Sequence, residues 1–342
     1  MSNENLVFRS MFQNISNEFA VSEPQVFKNL TIFPIIGNKS FPEVLPYTTL
    51  EEEVTIKEVN EQGSVPHLLA INETANKVVI YEGEILEGLK QTRVVNTSVI
   101  LDSNSKTNIT VSCVERGSWS HRTARARSAH RFYDPELRFQ KMKSIRTGLE
   151  AGRGYYSDQS RVWGDIEQEL NYRSKVTPTS SYLGAYDDKE SYEFSKGRDA
   201  FNQKNFETYL KDEAEEAVFL LDNQVGYVIT VNGKIISFEL FDSNNSLKIV
   251  WDKLFRSFLT VAERKQKEDS LFDVTFYDVV SWLDDFSNSE IKNYNSAGIG
   301  KMSELTVKNS FASLLTLNEN LIHAVGFKDQ STEFNRRYQT IF

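Results

Sequence analysis

Five polar residues in the first third of the chain have the types and spacing that chemistry on a bound ligand needs. They are Glu82, Glu84, Gln91, Arg93 and Glu115. Carboxylates that share a site acquire different pKa values, so one can be an acid while another is a base, nucleophile or metal ligand. A glutamine and an arginine can hold substrate oxygens in place. We therefore treat the three glutamates as catalytic candidates and the Gln–Arg pair as substrate-binding candidates.

Strand geometry is what would bring this set together. Side chains alternate across a strand, so residues two apart share a face. The apolar face of run 77–84 ends in two glutamates, that of 91–101 begins with the glutamine and the arginine, and that of 107–115 ends in the third glutamate. If the three runs form an antiparallel meander, all five side chains meet at one rim of a sheet. In the alternative interpretation, the arginine simply pairs with a glutamate and fixes a hairpin end.

The formal charge is −9, from 39 basic and 48 acidic residues, which makes nucleic acid an unlikely partner. Residues 116–146 reverse this balance, with nine basic side chains, seven of them arginine, and two acidic ones. Arginine matches phosphate or carboxylate oxygens two at a time. The basic stretch therefore suggests a local anion site, with Arg116, His121 and Arg122 as binding candidates. Alternatively, the cations neutralise acidic surfaces of this chain or of a second subunit.

Length and cysteine content bound the class of protein. The chain has 342 residues, enough for one large or two modest domains. One cysteine, Cys113, excludes an intramolecular disulfide and fits a reducing compartment; it lies on an apolar strand face and is expected in the core. We read no secretory signal and no membrane span, so we expect a soluble cytoplasmic protein. No metal-ligand spacing, P-loop or dinucleotide fingerprint is present, so no metal site is predicted and the cofactor is left unknown.

The patterns predict an α+β fold with a mainly antiparallel β-sheet N-terminal part (1–117), a helical middle with an irregular insertion (118–216) and an α+β C-terminal part (217–342). The first and third parts are allowed to pack as one unit. Asn232-Gly233 between two alternating runs predicts a type I′ hairpin. The N-terminal strands are predicted at 29–35, 51–59, 67–71, 77–84, 91–101 and 107–115.

Helix signals follow the N-terminal strands. Asp134 before a proline, with Gly148 as a stop, predicts a helix at 135–147. Ser157 is the predicted cap of the next helix, whose apolar stripe starts at Val162. The remaining predictions are a polar irregular segment at 171–191, an acidic helix at 199–216, helices spanning 247–259 and 275–286, and strands at 303–309, 311–317 and 321–327.

Two motifs also carry a family resemblance. Residues 81–93 read YEGEILEGLKQTR and residues 112–119 read SCVERGSW. Together with a later pattern from 225 to 254, they resemble an uncharacterised prokaryotic family named for association with ADP-ribosylglycohydrolases and rhodanese-phosphatase proteins. The likeness covers roughly 29–262, and its motif adds Trp119 to the binding candidates. The family usually has a second glycine where Leu89 stands and an arginine where Ser118 stands.

The resemblance implies a link to NAD and ADP-ribose metabolism, with a small-molecule anion or nucleotide as partner and no membrane. The expected function is binding of such a nucleotide, with hydrolysis or transfer at the ribose of ADP-ribose or a related nucleotide sugar if a bond is broken. Two alternatives stay open. One is a non-catalytic nucleotide-binding sensor, and the other is an Arg-rich assembly protein that forms a homo-oligomer.

Overall fold

The computed structural model describes residues 19–37, 47–49, 54–117, 119, 122–173, 180–185, 214–265 and 274–330. The prediction of a mixed fold with mostly antiparallel sheets is confirmed. The helices whose bounds both lie within these residues are α1 (Pro135–Glu150), α2 (Gln159–Tyr172), α3 (Asn244–Arg264) and α4 (Phe276–Asp285), with short 3-10 turns at Leu183–Ala185 and Phe286–Asn288.

The strands form three sheets. The strands are β1 (Phe19–Val21), β2 (Gln25–Phe27), β3 (Leu30–Gly37), β4 (Tyr47–Thr49), β5 (Val54–Glu58), β6 (His67–Asn72), β7 (Lys77–Ile80), β8 (Glu84–Glu87), β9 (Arg93–Val95), β10 (Val99–Leu101), β11 (Ser105–Cys113), β12 (Arg127–Phe132), β13 (Gln224–Val231), β14 (Lys234–Phe241), β15 (Glu290–Asn295), β16 (Lys301–Val307), β17 (Ser310–Leu317) and β18 (Asn320–Lys328).

The largest sheet has nine strands in the order β1-β3-β13-β14-β18-β17-β16-β15, with β2 also paired to β3. Strand β3, from the first predicted part of the chain, thus pairs with β13, from the third. The turn between β13 and β14 has positive φ at both Asn232 (50°) and Gly233 (65°), the backbone region that asparagine and glycine tolerate best.

Helices cover both faces of this sheet. Tyr227 and Ile229 of β13 pack in the cluster that holds Leu254 of α3, whereas Val228 packs in the cluster that holds Trp282 of α4. A sheet covered on both sides needs apolar residues at both parities, which is why β13 is buried along its whole length.

The other sheets belong to the N-terminal part. One has the order β12-β8-β9-β11-β6-β5 and the other β10-β7-β4, in which β4 and β7 run parallel. A shared core of small and branched residues lies between them, including Ile80, Val95, Val99 and Ile109. Strands β1, β2, β4, β12 and β15 have no counterpart in the sequence predictions.

Two predicted strands were wrong in extent, because each breaks into two. Run 77–84 becomes β7 and β8, and run 91–101 becomes β9 and β10. The first break falls at Gly83, whose φ is 87°. Its amide donates to the Val95 carbonyl at 3.0 Å and its carbonyl accepts from the Tyr133 amide at 2.8 Å. The glycine therefore turns the chain from one sheet into the other.

The helix predictions were right in place but wrong at two boundaries. The Asp134 carboxylate accepts from the Glu136 and Leu137 amides at 3.0 Å, as an N-cap does. Gly148 does not stop α1, which continues to Glu150 with Gly148 buried inside it. The cap of α2 is Asp158, because the Ser157 hydroxyl bonds that of Ser112 instead.

Parts of two other predictions lie outside the described residues. Of the predicted acidic helix 199–216, only 214–216 are described, and they are helical. Of the predicted irregular segment 171–191, residues 174–179 and 186–191 lie outside the description. Within it, α2 extends to Tyr172 and the side chain of Tyr182 is buried beside Tyr133.

Candidate functional site

The ends of three strands meet at one rim of the six-stranded sheet. In the register of this sheet, Arg93 of β9 lies opposite Leu86 of β8 and Cys113 of β11. Continuing these strands by one or two residues places Glu87 and Glu115 on either side of the start of β9. The predicted corner therefore exists, but the glutamate that β8 contributes is Glu87 and not Glu84.

Glu115 is the predicted catalytic residue that lies at this corner. Its side chain is buried, and Oε2 accepts from the Thr92 amide at 3.2 Å and the Thr92 hydroxyl at 3.1 Å. Arg122 donates from Nη1 to Oε2 at 2.9 Å and from Nη2 to Oε1. The predicted binding residue Gln91 donates to the Glu115 carbonyl at 3.4 Å. Glu115 is thus held by a two-pronged ion pair with Arg122.

A cavity of about 370 Å³ opens beside this ion pair, and we call it the arginine cavity. Three arginines border it, together with two glutamates and the turns at Gly88 and Gly184. Its lining residues are Glu87, Gly88, Thr92, Glu115, Arg122, Thr123, Arg125, Arg127, Ser181, Leu183 and Gly184.

The three arginines of this cavity differ in their partners. Arg122 is bound to Glu115, and Arg127 donates from Nε to Glu87 at 2.7 Å. Arg125 is exposed and forms no ion pair within the described part of the chain. The cavity therefore presents one cation that is not already neutralised, as an anion site requires.

The backbone of the β8–β9 turn is shaped by its neighbours across the cavity. The Leu89 amide donates to the Thr123 hydroxyl at 2.8 Å, and the Leu89 carbonyl accepts from the Arg122 amide at 2.9 Å. Gly88 has φ of 100°, and a Cβ there would lie 2.4 Å from Thr123 Oγ1. Leu89 itself has φ of 55°, a conformation that glycine adopts readily and leucine only with strain.

Arg93 and Trp119 lie on the other side of the same turn. The Arg93 guanidinium is buried, donates from Nε to the Val65 carbonyl at 3.1 Å, and lies 5.7 Å from the Trp119 ring. Burial lowers the pKa of Arg93. Arg116 does not line the arginine cavity. Its guanidinium lies over the Trp163 ring, with Nη1 3.9 Å from Glu167 Oε2. His121 lies outside the described residues.

Glu82 and Glu84 do not join the corner, so this part of the predicted cluster was wrong. Glu82 lies in the turn at Gly83 and is bound by Arg138 and Lys141, each at 2.7 Å. Glu84 begins β8 at the end away from Glu87, where Lys253 of α3 binds it at 2.9 Å. The physical reason is the break at Gly83, which shifts the strand register on which the parity argument relied.

Glu82 belongs instead to what we call the buried charge network, formed by Glu82, Arg138, Lys141, Glu239 and His323. Arg138 donates to Glu239 at 2.7 Å, and His323 contacts the same carboxylate at 2.9 Å. Burial raises the pKa of Glu239, but Arg138 and His323 outweigh it and bring the pKa to about 2. His323 lies in β18, and its Nδ1 contacts the Ser98 hydroxyl at 2.9 Å, so both ring nitrogens have partners.

Sequence reasoning missed several residues of the site because they are short polar side chains or belong to an unpredicted strand. Thr92, Thr123 and Ser181 carry no motif of their own. Arg127 starts β12, which alternation did not reveal. The sequence signal that could have identified these residues was the cluster of arginines at 122–127, since this segment borders the arginine cavity.

Fold and site together define an α+β protein with an arginine-lined cavity at a sheet rim. The chain belongs to the family described as the ARG and Rhodanese-Phosphatase-superfamily-associated Protein domain, whose model matches residues 18–327. The match extends beyond the 29–262 expected from the motifs. No curated protein and no solved structure shows significant similarity to the chain.

Two further observations bear on ligands and location. Within the described residues, no three histidine, cysteine or carboxylate side chains converge as a metal ion would need. None of the helices described is both long and apolar enough to cross a membrane. Cys113 is buried, as the strand parity predicted.

Proposed function

We propose that this protein binds a phosphate-bearing small molecule of the nucleotide class, such as ADP-ribose, in the arginine cavity. The observation that carries the proposal is Arg125, an exposed arginine without an ion pair in the described chain, at the mouth of a cavity bordered by two more arginines. The nucleotide class comes from the link to ADP-ribose metabolism that the family resemblance of the motifs at 81–93 and 112–119 implies.

The chemistry of the cavity suits phosphate oxygens. Arg127 uses only its Nε on Glu87, so its terminal amino groups remain available together with the guanidinium of Arg125. Two forked guanidinium groups can bind a diphosphate in two-pronged fashion. A volume of about 370 Å³ lies within the range of small-molecule sites, which runs from roughly 300 to 1,000 Å³.

Binding is favoured over catalysis for two reasons. Arg122 donates to both oxygens of Glu115. Neither oxygen is therefore available to act as a base or nucleophile. The other predicted catalytic glutamates, Glu82 and Glu84, are neutralised by cations away from the cavity. The sensor alternative therefore fits this site better than hydrolysis or transfer at the ribose.

An assembly role for the basic segment is the weaker proposal. Arg122, Arg127 and Arg138 all pair with glutamates of the same chain, so few of the segment's charges are left for a second subunit. An oligomer that dissociates at high salt would revive this role. A cytoplasmic location likewise stays a prediction.

Calorimetric titration with ADP-ribose, NAD and inorganic pyrophosphate tests the proposal. We expect wild type to bind ADP-ribose and pyrophosphate, and Arg125→Ala to bind both at least about tenfold more weakly. Arg153→Ala removes an exposed arginine that does not line the cavity and is the matched control. Absence of binding by wild type, or equal affinity of the two variants, would contradict the proposal.

Mass spectrometry of the ligand after long incubation separates a sensor from an enzyme. We expect recovered ADP-ribose and NAD to be unchanged. Turnover by wild type that is lost in Glu115→Gln would instead show that the arginine cavity is an active site.

A further inference from the structure

The β8–β9 turn has polar groups on its second side, away from the arginine cavity. Around Gly63, three side chains come so close that a Cβ there would lie 3.1 Å from each of them: Glu58 at Oε2, Lys90 at Cδ and Trp119 at Cζ2. Gly63 has φ of 77°, a conformation that favours glycine. This convergence of a carboxylate, an ammonium stem and an indole has no part in the arginine cavity.

Arg93 adds an unsatisfied guanidinium to this group. Its Nε is bonded to the Val65 carbonyl, but the buried Nη1 and Nη2 have no hydrogen-bond partner among the described residues. Burying such donors unpaired is costly, and native proteins seldom do so without a ligand or ordered water to complete them. Both terminal nitrogens of the Arg93 guanidinium could therefore donate hydrogen bonds to a ligand.

Glu58 provides an unsatisfied acceptor in the same place. Its Oε1 accepts from the Lys90 amide at 3.2 Å, whereas its buried Oε2 has no hydrogen-bond partner in the part of the chain that the structure describes. Glu58 is near enough to raise the pKa of Arg93, although burial, the larger effect, lowers it. A ligand group that both donates and accepts hydrogen bonds would satisfy the two residues at once.

Trp119 covers this pair at the surface. Its side chain is 45% exposed and lies 5.4 Å from Lys90 Nζ, which the Glu61 and Gln62 carbonyls hold at 2.6 and 2.8 Å. Rotation of this one exposed side chain would open Arg93 to a ligand, and the indole would then cover the ligand's apolar face.

We propose that Glu58, Lys90, Arg93 and Trp119 form a sugar subsite that binds the ribose of the nucleotide whose phosphates lie in the arginine cavity. The inference rests on the proposed function. Ribose hydroxyls donate to Glu58 Oε2 and accept from the Arg93 amino groups, while the ring packs against Trp119.

The two sites are close enough along the chain to share one ligand. Gly88 lines the arginine cavity and Lys90, two residues on, lies in the sugar subsite. Arg122, three residues after Trp119, lies against the turn, since its amide donates to the Leu89 carbonyl at 2.9 Å. A nucleotide that follows this segment over the rim reaches both sides of the turn.

The test compares ADP-ribose with pyrophosphate, which has phosphates and no sugar. Glu58→Gln replaces Oε2 with an amide that cannot accept, and we expect it to weaken ADP-ribose binding about tenfold or more while leaving pyrophosphate binding unchanged. Glu61→Gln makes the same change on an exposed side chain of the neighbouring loop and should alter neither. Trp119→Ala is the second variant and should behave like Glu58→Gln.

The outcomes separate the two proposals. If wild type binds neither compound, the proposed function fails. If wild type binds both, and both Glu58→Gln and Trp119→Ala leave ADP-ribose affinity unchanged or weaken both ligands equally, the sugar subsite fails while the arginine cavity stands. A change in Trp119 fluorescence with ADP-ribose but not with pyrophosphate, absent in Trp119→Phe, supports the subsite, and no change with either ligand counts against it.

Discussion

Arg125 and Arg138 come from the same basic segment, yet they end in opposite environments. Arg138 has 2% of its side chain exposed and is bound by Glu82 and Glu239 in the buried charge network. Arg125 is exposed at the arginine cavity without an ion pair in the described chain. The comparison teaches that burial and pairing, and not the density of arginines in the sequence, decide whether a cation holds the fold together or is free for a ligand.

The buried charge network and the arginine cavity also differ in the free energy needed to remove their charges from water. Taking a charge out of water is expensive unless partners replace the water, so each charge of the network depends on the others. At the rim of the sheet, water already hydrogen-bonds to the exposed Arg125 guanidinium, and a ligand only has to replace this water. We therefore expect substitutions in the network to change stability and substitutions in the cavity to change binding.

The largest effect is expected for Arg138→Met, which leaves Glu82 and Glu239 with less compensation in the core. Removing one partner of a buried ion pair costs about 3–5 kcal/mol. The free energy of unfolding, measured by urea denaturation, should fall by that amount. Arg125→Met is the control and should change it by less than about 0.5 kcal/mol. Similar losses of unfolding free energy in the two variants would contradict the distinction between the buried charge network and the arginine cavity.

A second effect concerns Glu304, which is buried like the network but incompletely paired. The Arg146 Nε lies 3.6 Å from Glu304 Oε2, and this oxygen accepts no hydrogen bond from any residue that the structure describes. Burial raises the pKa of Glu304 from 4.5 to about 7, against the opposing effects of Ser313 and Arg146. The folded state thus favours the protonated form, so stability is highest below pH 4.5, falls as the pH rises to 7, and stays lowered above it.

Measuring unfolding free energy at pH 5 and pH 8 checks this. Glu304→Gln should reduce the loss of stability between the two by about 2–3 kcal/mol, since each pKa unit is worth about 1.4 kcal/mol. Glu290→Gln, an exposed change in the neighbouring strand, should leave the loss as in wild type. An identical pH dependence of Glu304→Gln and wild type would show that this carboxyl is better paired than its contacts indicate.

A smaller effect is expected at the cavity. Glu87→Gln releases Arg127 from its carboxylate and should strengthen pyrophosphate binding about two- to fivefold, because an exposed ion pair is worth about 1 kcal/mol or less. Titration calorimetry measures the change. Glu167→Gln, which releases Arg116 outside the cavity, should have no effect. Weaker binding by Glu87→Gln would mean that Glu87 positions Arg127 for the anion.

The smallest effect is expected for an ion pair that belongs to neither region. Arg256 and Asp252 face each other on an exposed side of α3 at 2.9 Å. Arg256→Ala should lower the unfolding free energy by less than about 0.5 kcal/mol, and chemical denaturation in low and high salt measures it. A loss comparable to that of Arg138→Met would contradict the distinction between exposed and buried pairs.

Local signals predicted much of this fold. The Asp134 cap, the positive φ of Asn232 and Gly233, and the stripe of α3 depend on residues a few positions apart, so they can be read without the tertiary structure. The boundary errors at Gly148 and Ser157 arose where tertiary contacts outweighed local preference. Gly148 packs closely against the Gly154 and Tyr156 carbonyls, and the hydroxyl of Ser157 pairs with Ser112.

The candidate site was predictable only in part. Glu115 and Gln91 meet as their positions at strand ends suggested, because antiparallel pairing brings those ends together, whereas the ion pair of Arg122 with Glu115 was not predicted. Glu82 and Glu84 were misplaced because parity holds only within an unbroken strand. A single glycine with positive φ ended that strand, and glycine alone does not reveal from the sequence whether it bends the chain.

The order of residues along this chain by itself determined most of the strands, the start of α1, the buried cysteine and the basic segment, since each depends on short-range patterns of polarity and backbone preference. Only the tertiary structure decided which arginines are neutralised and which face a cavity. Their partners, Glu82 and Glu239 for Arg138 and Glu87 for Arg127, are 40 to 101 residues away, and long-range packing alone selects among so many possible pairs.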